Sequence, residues 1–157
     1  MISVEPTADT DYIKSVFLNP SIYDSMRDDS CPSTPSDTTL GLESAPPGVF
    51  LKVKMDGNPC GVFWLRWIDG AKIEVHTALL EPCRGRRAID AAKALMSWVW
   101  SNTVAVAIRS YAWSDAPVVS WFCRAVGMRE QETVAWPNTR NGKPVAITYF
   151  EIERGVA

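Results

Sequence analysis

The sequence is poor in metal-binding residues. It holds one histidine, His76, and four cysteines, Cys31, Cys60, Cys83 and Cys123, with no Cys-x-x-Cys pair among them. Zinc sites need clustered Cys and His ligands, so no metal is expected. No apolar run approaches the roughly 18 residues of a membrane span. The start, "MISVEPTADTDY", has neither the basic nor the apolar segment of a secretory signal. A cytoplasmic protein with reduced thiols and no membrane partner is the expectation. An excess of one charge is also missing: 16 Lys and Arg stand against 18 Asp and Glu, a formal net charge of -2. That removes any global attraction to nucleic acid, so a basic function has to be local.

What is present is an ordinary globular composition, 46% hydrophobic and 22% charged, at a length that suits one domain over residues 1–157. Residues 2–5 read as a short strand. In "TADTDYIKSVFLNP" the residues Tyr12, Ile13, Val16 and Phe17 recur at helical spacing, with Thr10 or Asp11 as the cap. "PSIYDSMRDD" reads as a second short helix opened by Pro20. A stretch rich in Pro, Ser, Thr and Asp then reads as a long loop over 28–48, which in a compact domain is functional or mobile. Three strand-like runs follow in 49–80, separated by Asp-Gly pairs that favour tight hairpins. Residues 84–101 carry the apolar stripe of a helix, "TVAVAIRSYAW" is a strand, and "SDAPVVSWFCRAVGM" is a helix capped by Ser114 or Asp115 and ended by Gly127. Two strands around an Asn-Gly turn close the chain. The order is β-α-α-β-β-β-α-β-α-β-β, an α/β (α+β) mixed sheet in which the crossover helix makes the fifth strand parallel to the fourth.

"PCRGRRAIDAAKALMSW" puts three arginines where a helix begins, the end that already carries partial positive charge. Such a turn suits a phosphate, through free N–H groups and guanidinium forks, or is simply a solvated surface turn. A nucleic-acid contact through the same arginines is a third reading, weakly based in an acidic chain. Upstream, Glu74 and His76 alternate on one face of a strand, placed to take a proton from an amine or to form a structural pair. Tyr111, Ser114, Ser120 and Cys123 are candidate proton donors. Most of the seven tryptophans are expected in the core.

Order and local sequence together resemble the GNAT family of acyl-CoA N-acyltransferases, most clearly over about 72–128. In that family a strand runs through a Pro into a loop of form (Arg/Gln)-x-x-Gly-x-(Gly/Ala), which binds the pyrophosphate of coenzyme A. "ALLEPCRGRRAIDAAKAL" has the strand end, the Pro, the basic turn and the Ala-rich helix. Anchoring on the helix puts Ala88 last in the loop, Arg86 on the middle glycine and Cys83 on the Arg/Gln place. Anchoring on Arg84-Gly85 puts Arg87 and Ile89 where glycines are usual. Either way a glycine is missing. "SDAPVVSWFCRAVGM" resembles the second signature, with Cys123 where a tyrosine acid is frequent. The chain is also similar to short GNAT-like proteins of tailed bacteriophages, which implies a host cytoplasm.

The resemblance implies an acyltransferase that moves an acetyl group from acetyl-CoA to an amine acceptor by direct attack, without an acyl-enzyme and without a metal. It implies cofactor contacts at Arg84, Gly85, Arg86, Arg87 and Ala88, and at the backbone of Leu79 and Leu80. Glu74, His76 and Tyr111 are its catalytic candidates. The alternative is a catalytically inactive GNAT-fold protein that serves as an interaction or phage assembly module, with a homodimer or a protein partner. The missing glycine, the absent helix tyrosine and the many tryptophans motivate it.

Overall fold

The hairpin turns follow from the residues in them. Asp56 and Gly57 adopt φ of 51° and 83°, and Asn141 and Gly142 adopt 51° and 73°. These left-handed pairs match the twist of the strands they join. At the third turn Asp69 Oδ1 accepts from the N–H groups of Ala71 and Lys72. The computed structural model describes residues 1–35 and 48–155. Of the loop expected over 28–48, residues 36–47 lie outside the described residues.

The described elements are β1 (Ile2–Pro6), α1 (Thr10–Phe17), α2 (Pro20–Met26), β2 (Gly48–Met55), β3 (Asn58–Trp67), β4 (Lys72–Leu79), α3 (Arg86–Asn102), β5 (Ala107–Trp113), α4 (Pro117–Ala125), β6 (Arg129–Arg140) and β7 (Lys143–Glu153), with a 3-10 turn over Glu81–Cys83 before α3. The element order is the one read from the sequence, and all seven strands form one sheet in the order β1-β2-β3-β4-β5-β7-β6. Every neighbouring pair is antiparallel except β4 and β5.

One face of the sheet packs Leu51, Phe63, Ile73, Val75, Ile108 and Phe150 against the apolar side of α3 and α4. On the other face α1 and α2 bury Ile13, Val16, Phe17 and Ile22 against Val62 and Ala78. Beyond α2 that second face is covered by rings, where Trp113, Val145 and Ile147 pack with Tyr111, Trp136 and Tyr149.

Several local expectations are corrected. The cap of α1 is Asp9, whose carboxylate accepts from Tyr12 N–H at 3.0 Å, and not Thr10 or Asp11. Helix α4 has neither Ser114 nor Asp115 as its cap. Ser114 Oγ accepts from Ala146 N–H and Asp115 pairs with Arg140, so both are drawn away to the neighbouring hairpin. Of the tryptophans only Trp113 is buried, while Trp67 and Trp121 are exposed and the rest lie half-buried on the surface of the sheet and helices. Cys60 and Cys83 are joined by a disulfide, against the expectation of reduced thiols. The pairing of Gly61 with Leu79 brings the start of β3 beside the turn that follows β4, which is how two cysteines 23 residues apart meet.

A polar strap fixes the segment after α2. Buried Asp28 accepts from Trp136 Nε1 at 2.7 Å, Asn138 Nδ2 at 3.0 Å and both the N–H and hydroxyl of Ser30. Asp29 accepts from Thr139 Oγ1 and the N–H groups of Asn141 and Gly142. Arg140 donates to the carbonyls of Ser25 and Arg27 and to Asp115. These bonds tie α2 to the β6–β7 hairpin and so set the width of what lies between. Replacing Asp28 by Ala leaves the indole N–H of Trp136 without an acceptor and removes several charge-assisted bonds. A loss of about 2–3 kcal/mol is expected, read by chemical denaturation.

Candidate functional site

Strands β4 and β5 pair only at Lys72–Ala107, Ile73–Ile108 and Glu74–Arg109. Beyond Glu74 they part, and only Ser110 Oγ still reaches Val75 O, at 3.4 Å. The gap becomes a cleft of about 440 Å3 between α2, the two strands and α4, closed at one end by the start of α3. Its wall includes His76, Tyr111 and Arg140 towards α2, and Ala88, Val119 and Phe122 towards α3 and α4.

Backbone groups along a strand point alternately to its two edges. Leu80 N–H donates to Cys60 O on β3, so the groups of Thr77 and Leu79 point the other way, into the cleft. Leu80 is therefore already used by the sheet. Thr77, which the sequence did not single out, offers a backbone N–H at the opening. The alternation of Leu80 with its strand neighbours would have indicated this had the partner edge been known.

At the basic turn, Gly85 adopts φ 65° and precedes α3, and the space where a side chain would start is open. Ala88 N–H closes back on Gly85 O at 3.1 Å. The N–H groups of Arg86 and Arg87, first in the helix, have no acceptor within it. Arg84, Gly85 and Ala88 line the cleft, whereas Arg86 and Arg87 are exposed and do not. Arg86 and Arg87, which stand where glycines are usual, keep their side chains off the cleft wall. Arg84 donates Nε to Leu79 O and Nη2 to Ser21 Oγ, bridging the turn to α2. Arg87 donates to Pro82 O. The exposed glycine, the free N–H groups and the cationic rim fit a diphosphate.

Glu74 and His76 share a face and meet. Glu74 is 7% exposed, and its Oε1 accepts from Arg66 Nη2 at 3.0 Å. His76 Nε2 lies 3.0 Å from the same oxygen, but off the line of a ring N–H, so it makes a close polar contact without a hydrogen bond. The contact with His76, ahead of the charge of Arg66, holds the Glu74 carboxyl below its ordinary range despite burial. A carboxylate so stabilised is a weak base, and Glu74 does not line the cleft, whereas His76 does. The geometry gives the imidazole the contact position and the carboxylate a place behind it. Among the described residues, Trp64 Nε1, Arg66 Nε, His76 Nε2 and Arg109 Nε are the buried side-chain nitrogens without a hydrogen-bond partner; Arg66, His76 and Arg109 neighbour Glu74, while Trp64 Nε1 lies beside Gly48 on β2.

Tyr111 packs its ring at 5.8 Å from His76 and lines the cleft. Burial first, and then the Glu74 charge, raise its phenol above the ordinary value, so it stays protonated. Cys123, also on the cleft wall, is 2% exposed, and burial pushes its thiol up to about 11. Ser114 is held by β7 and Ser120 is not on the wall. No group of three or more residues able to hold a metal is found among the described residues. No helix among them is long and apolar enough to cross a membrane.

Replacing Glu74 by Gln should destabilise the protein by about 2 kcal/mol at pH 7, because Arg66 loses its charged partner. The folded carboxyl is depressed, so this contribution is full above the ordinary carboxylate value near 4 and is lost as pH falls through the folded value. Denaturation of both proteins at pH 7 and pH 3.5 should show the gap closing at the lower pH.

Solved structures share this architecture. A spermidine N-acetyltransferase from Vibrio cholerae, in complex with CoA and spermine, matches over 99% of this chain and 96% of its own, with a TM-score of 0.78 and 12% identity. A ribosomal-protein-alanine N-acetyltransferase from Brucella melitensis matches over 98% and 99%, with a TM-score of 0.71 and 11% identity. A ribosomal L7/L12 alpha-N-protein acetyltransferase in complex with coenzyme A matches over 99% and 96%, with a TM-score of 0.72 and 12% identity. The fold is thus that of the GNAT N-acetyltransferases. No curated protein matches by sequence. The family model described as "Protein of unknown function (DUF2824)" matches residues 21–156.

Proposed function

We propose that this chain, which belongs to the DUF2824 family, is an acyl-CoA-dependent N-acyltransferase acting on an amine. The observation that carries the reading is the parting of β4 from β5 after three residue pairs, which opens a cleft from His76 and Tyr111 to the basic turn. The fold shared with an acetyltransferase bound to CoA and spermine and with ribosomal-protein acetyltransferases supports it.

An acyl-CoA would supply an activated thioester. The turn at Arg84–Ala88 would hold its pyrophosphate, with Arg86 and Arg87 acting from the rim. The cleft-facing N–H groups of Thr77 and Leu79 are placed to stabilise charge that develops on the acyl oxygen. His76, backed by Glu74, would take the proton from the attacking amine, and Tyr111 would give one to the departing sulfur. The nitrogen–carbon bond forms as the carbon–sulfur bond breaks, so one proton leaves the amine and one reaches the thiol. No residue on the cleft wall is asked to carry the acyl group.

One observation favours the second reading, an inactive GNAT-fold interaction module. Arg84 spans the mouth of the cleft from Leu79 O to Ser21 Oγ, tying the turn to α2. Thermal unfolding with CoA separates the two. Ligand at 100 times its dissociation constant adds about 2.7 kcal/mol. A stabilising shift is expected, reduced in Arg84→Ala. In a transfer assay with polyamines and peptides, His76→Ala should lower kcat roughly 10²- to 10⁴-fold while the CoA shift persists. No shift at millimolar CoA together with no transfer would leave only the interaction module.

A further inference from the structure

Behind the cleft lies a second, smaller cavity of about 30 Å3, set between β4, β5, α3 and α4. The two cavities meet at five shared residues, Val75, Thr77, Ser110, Phe122 and Cys123. The rest of its wall is apolar and includes Phe63, Ala92, Leu95, Ile108 and Val126. A water-sized group needs roughly 10–15 Å3 of such space, so one methyl or methylene fits. Of the three polar neighbours, all on the wall shared with the cleft, Thr77 is exposed, Ser110 Oγ is turned to Val75 O, and the Cys123 thiol is buried and protonated. Apolar voids of this kind stay dry and take apolar guests.

Its position matters more than its size. The cavities meet at Val75 and Ser110, where β4 and β5 begin to part. A thioester carbon held there has three bonds in one plane. The sulfur runs back along the cleft to the turn before α3, and the oxygen faces the N–H groups on β4. The third bond, to the alkyl chain, is left for the floor. His76 and Tyr111 stand on the opposite face of the sheet from α3 and α4, since Tyr111 belongs with Trp113 and Tyr149 while Val75 and Ile108 face the helices. An amine arriving beside His76 therefore meets the carbon from one side, and the alkyl chain points to the other, where the small cavity lies.

We propose that this cavity is an acyl-chain pocket and that the chain prefers a donor one carbon longer than acetyl, a propionyl thioester. Ala92 and Val126, which wall the small cavity but not the cleft, set the length. The proposal rests on the acyltransferase reading.

Calorimetric binding of CoA, acetyl-CoA and propionyl-CoA to the whole chain tests it. One more buried methylene is worth about a fourfold tighter dissociation constant for propionyl-CoA over acetyl-CoA. Ala92→Val and Val126→Ile each add carbon to the pocket and should bring that ratio to one or below, with CoA affinity unchanged. Val126→Ile, the smaller change, serves if Ala92→Val does not fold. Binding of CoA with acetyl-CoA as tight as propionyl-CoA, or tighter, overturns the pocket and leaves the acyltransferase reading standing. So does a fourfold preference that survives in the folded variants. Failure of all three ligands to bind removes the acyltransferase reading and the pocket with it.

Discussion

The ladder between β4 and β5 stops at Glu74 and Arg109, and the cleft depends on that stop. Backbone groups left without a partner in a closed core are unfavourable. Here each strand keeps its other neighbour, β3 for β4 and β7 for β5, so neither is lost from the sheet. The freed N–H groups of Thr77 and Leu79 face open space, where water or a ligand satisfies them, and the Leu79 carbonyl accepts from Arg84. Parting is held from both sides, by α4 packed on β5, by the disulfide that fastens the start of β3 to the turn after β4, and by Arg84, which fastens the end of β4 to that turn.

The face that carries His76 is built from rings and paired charges. Phe50, Trp64, His76, Tyr111, Trp113 and Trp136 make a continuous run of ring contacts across the sheet. Arg66, Arg109 and Arg140 each lie over one of the aromatic side chains there, and each is matched by a carboxylate, Glu74, Glu132 and Asp115. Stacking on rings lets a guanidinium sit on a half-buried surface, because its flat faces are poorly hydrated while its edges still find oxygen. That face of the cleft therefore has little net charge of its own.

Local patterns made much of this legible in advance. Asp56-Gly57 and Asn141-Gly142 specify their turns because few other pairs tolerate positive φ twice. Alternation alone put Glu74 with His76, and strand periodicity is indifferent to what the rest of the chain does. Placement of the basic turn followed from strand, Pro and helix in sequence. What was hidden depends on partners far along the chain. Thr10 and Asp11 are as good a cap by residue type as Asp9 until the approach of the chain to Tyr12 is fixed. Cys60 meets Cys83 only through the β3–β4 register. Whether Thr77 or Leu80 offers its N–H to the cleft depends on which edge β3 occupies. Arg140 and Asp28 look like ordinary surface residues in the sequence, and they become buried only because α2 docks on a hairpin more than a hundred residues later.

That docking reaches the tip of the hairpin. Turn amides at a hairpin end usually trade their hydrogens with water first, since nothing covers them. In this chain the amides of Asn141 and Gly142 are held by Asp29, a residue beside α2. Their exchange with deuterated solvent is then governed by opening of the segment that follows α2 and not by fraying of β6 and β7. The hairpin tip becomes a clock for movement on the far side of the cleft.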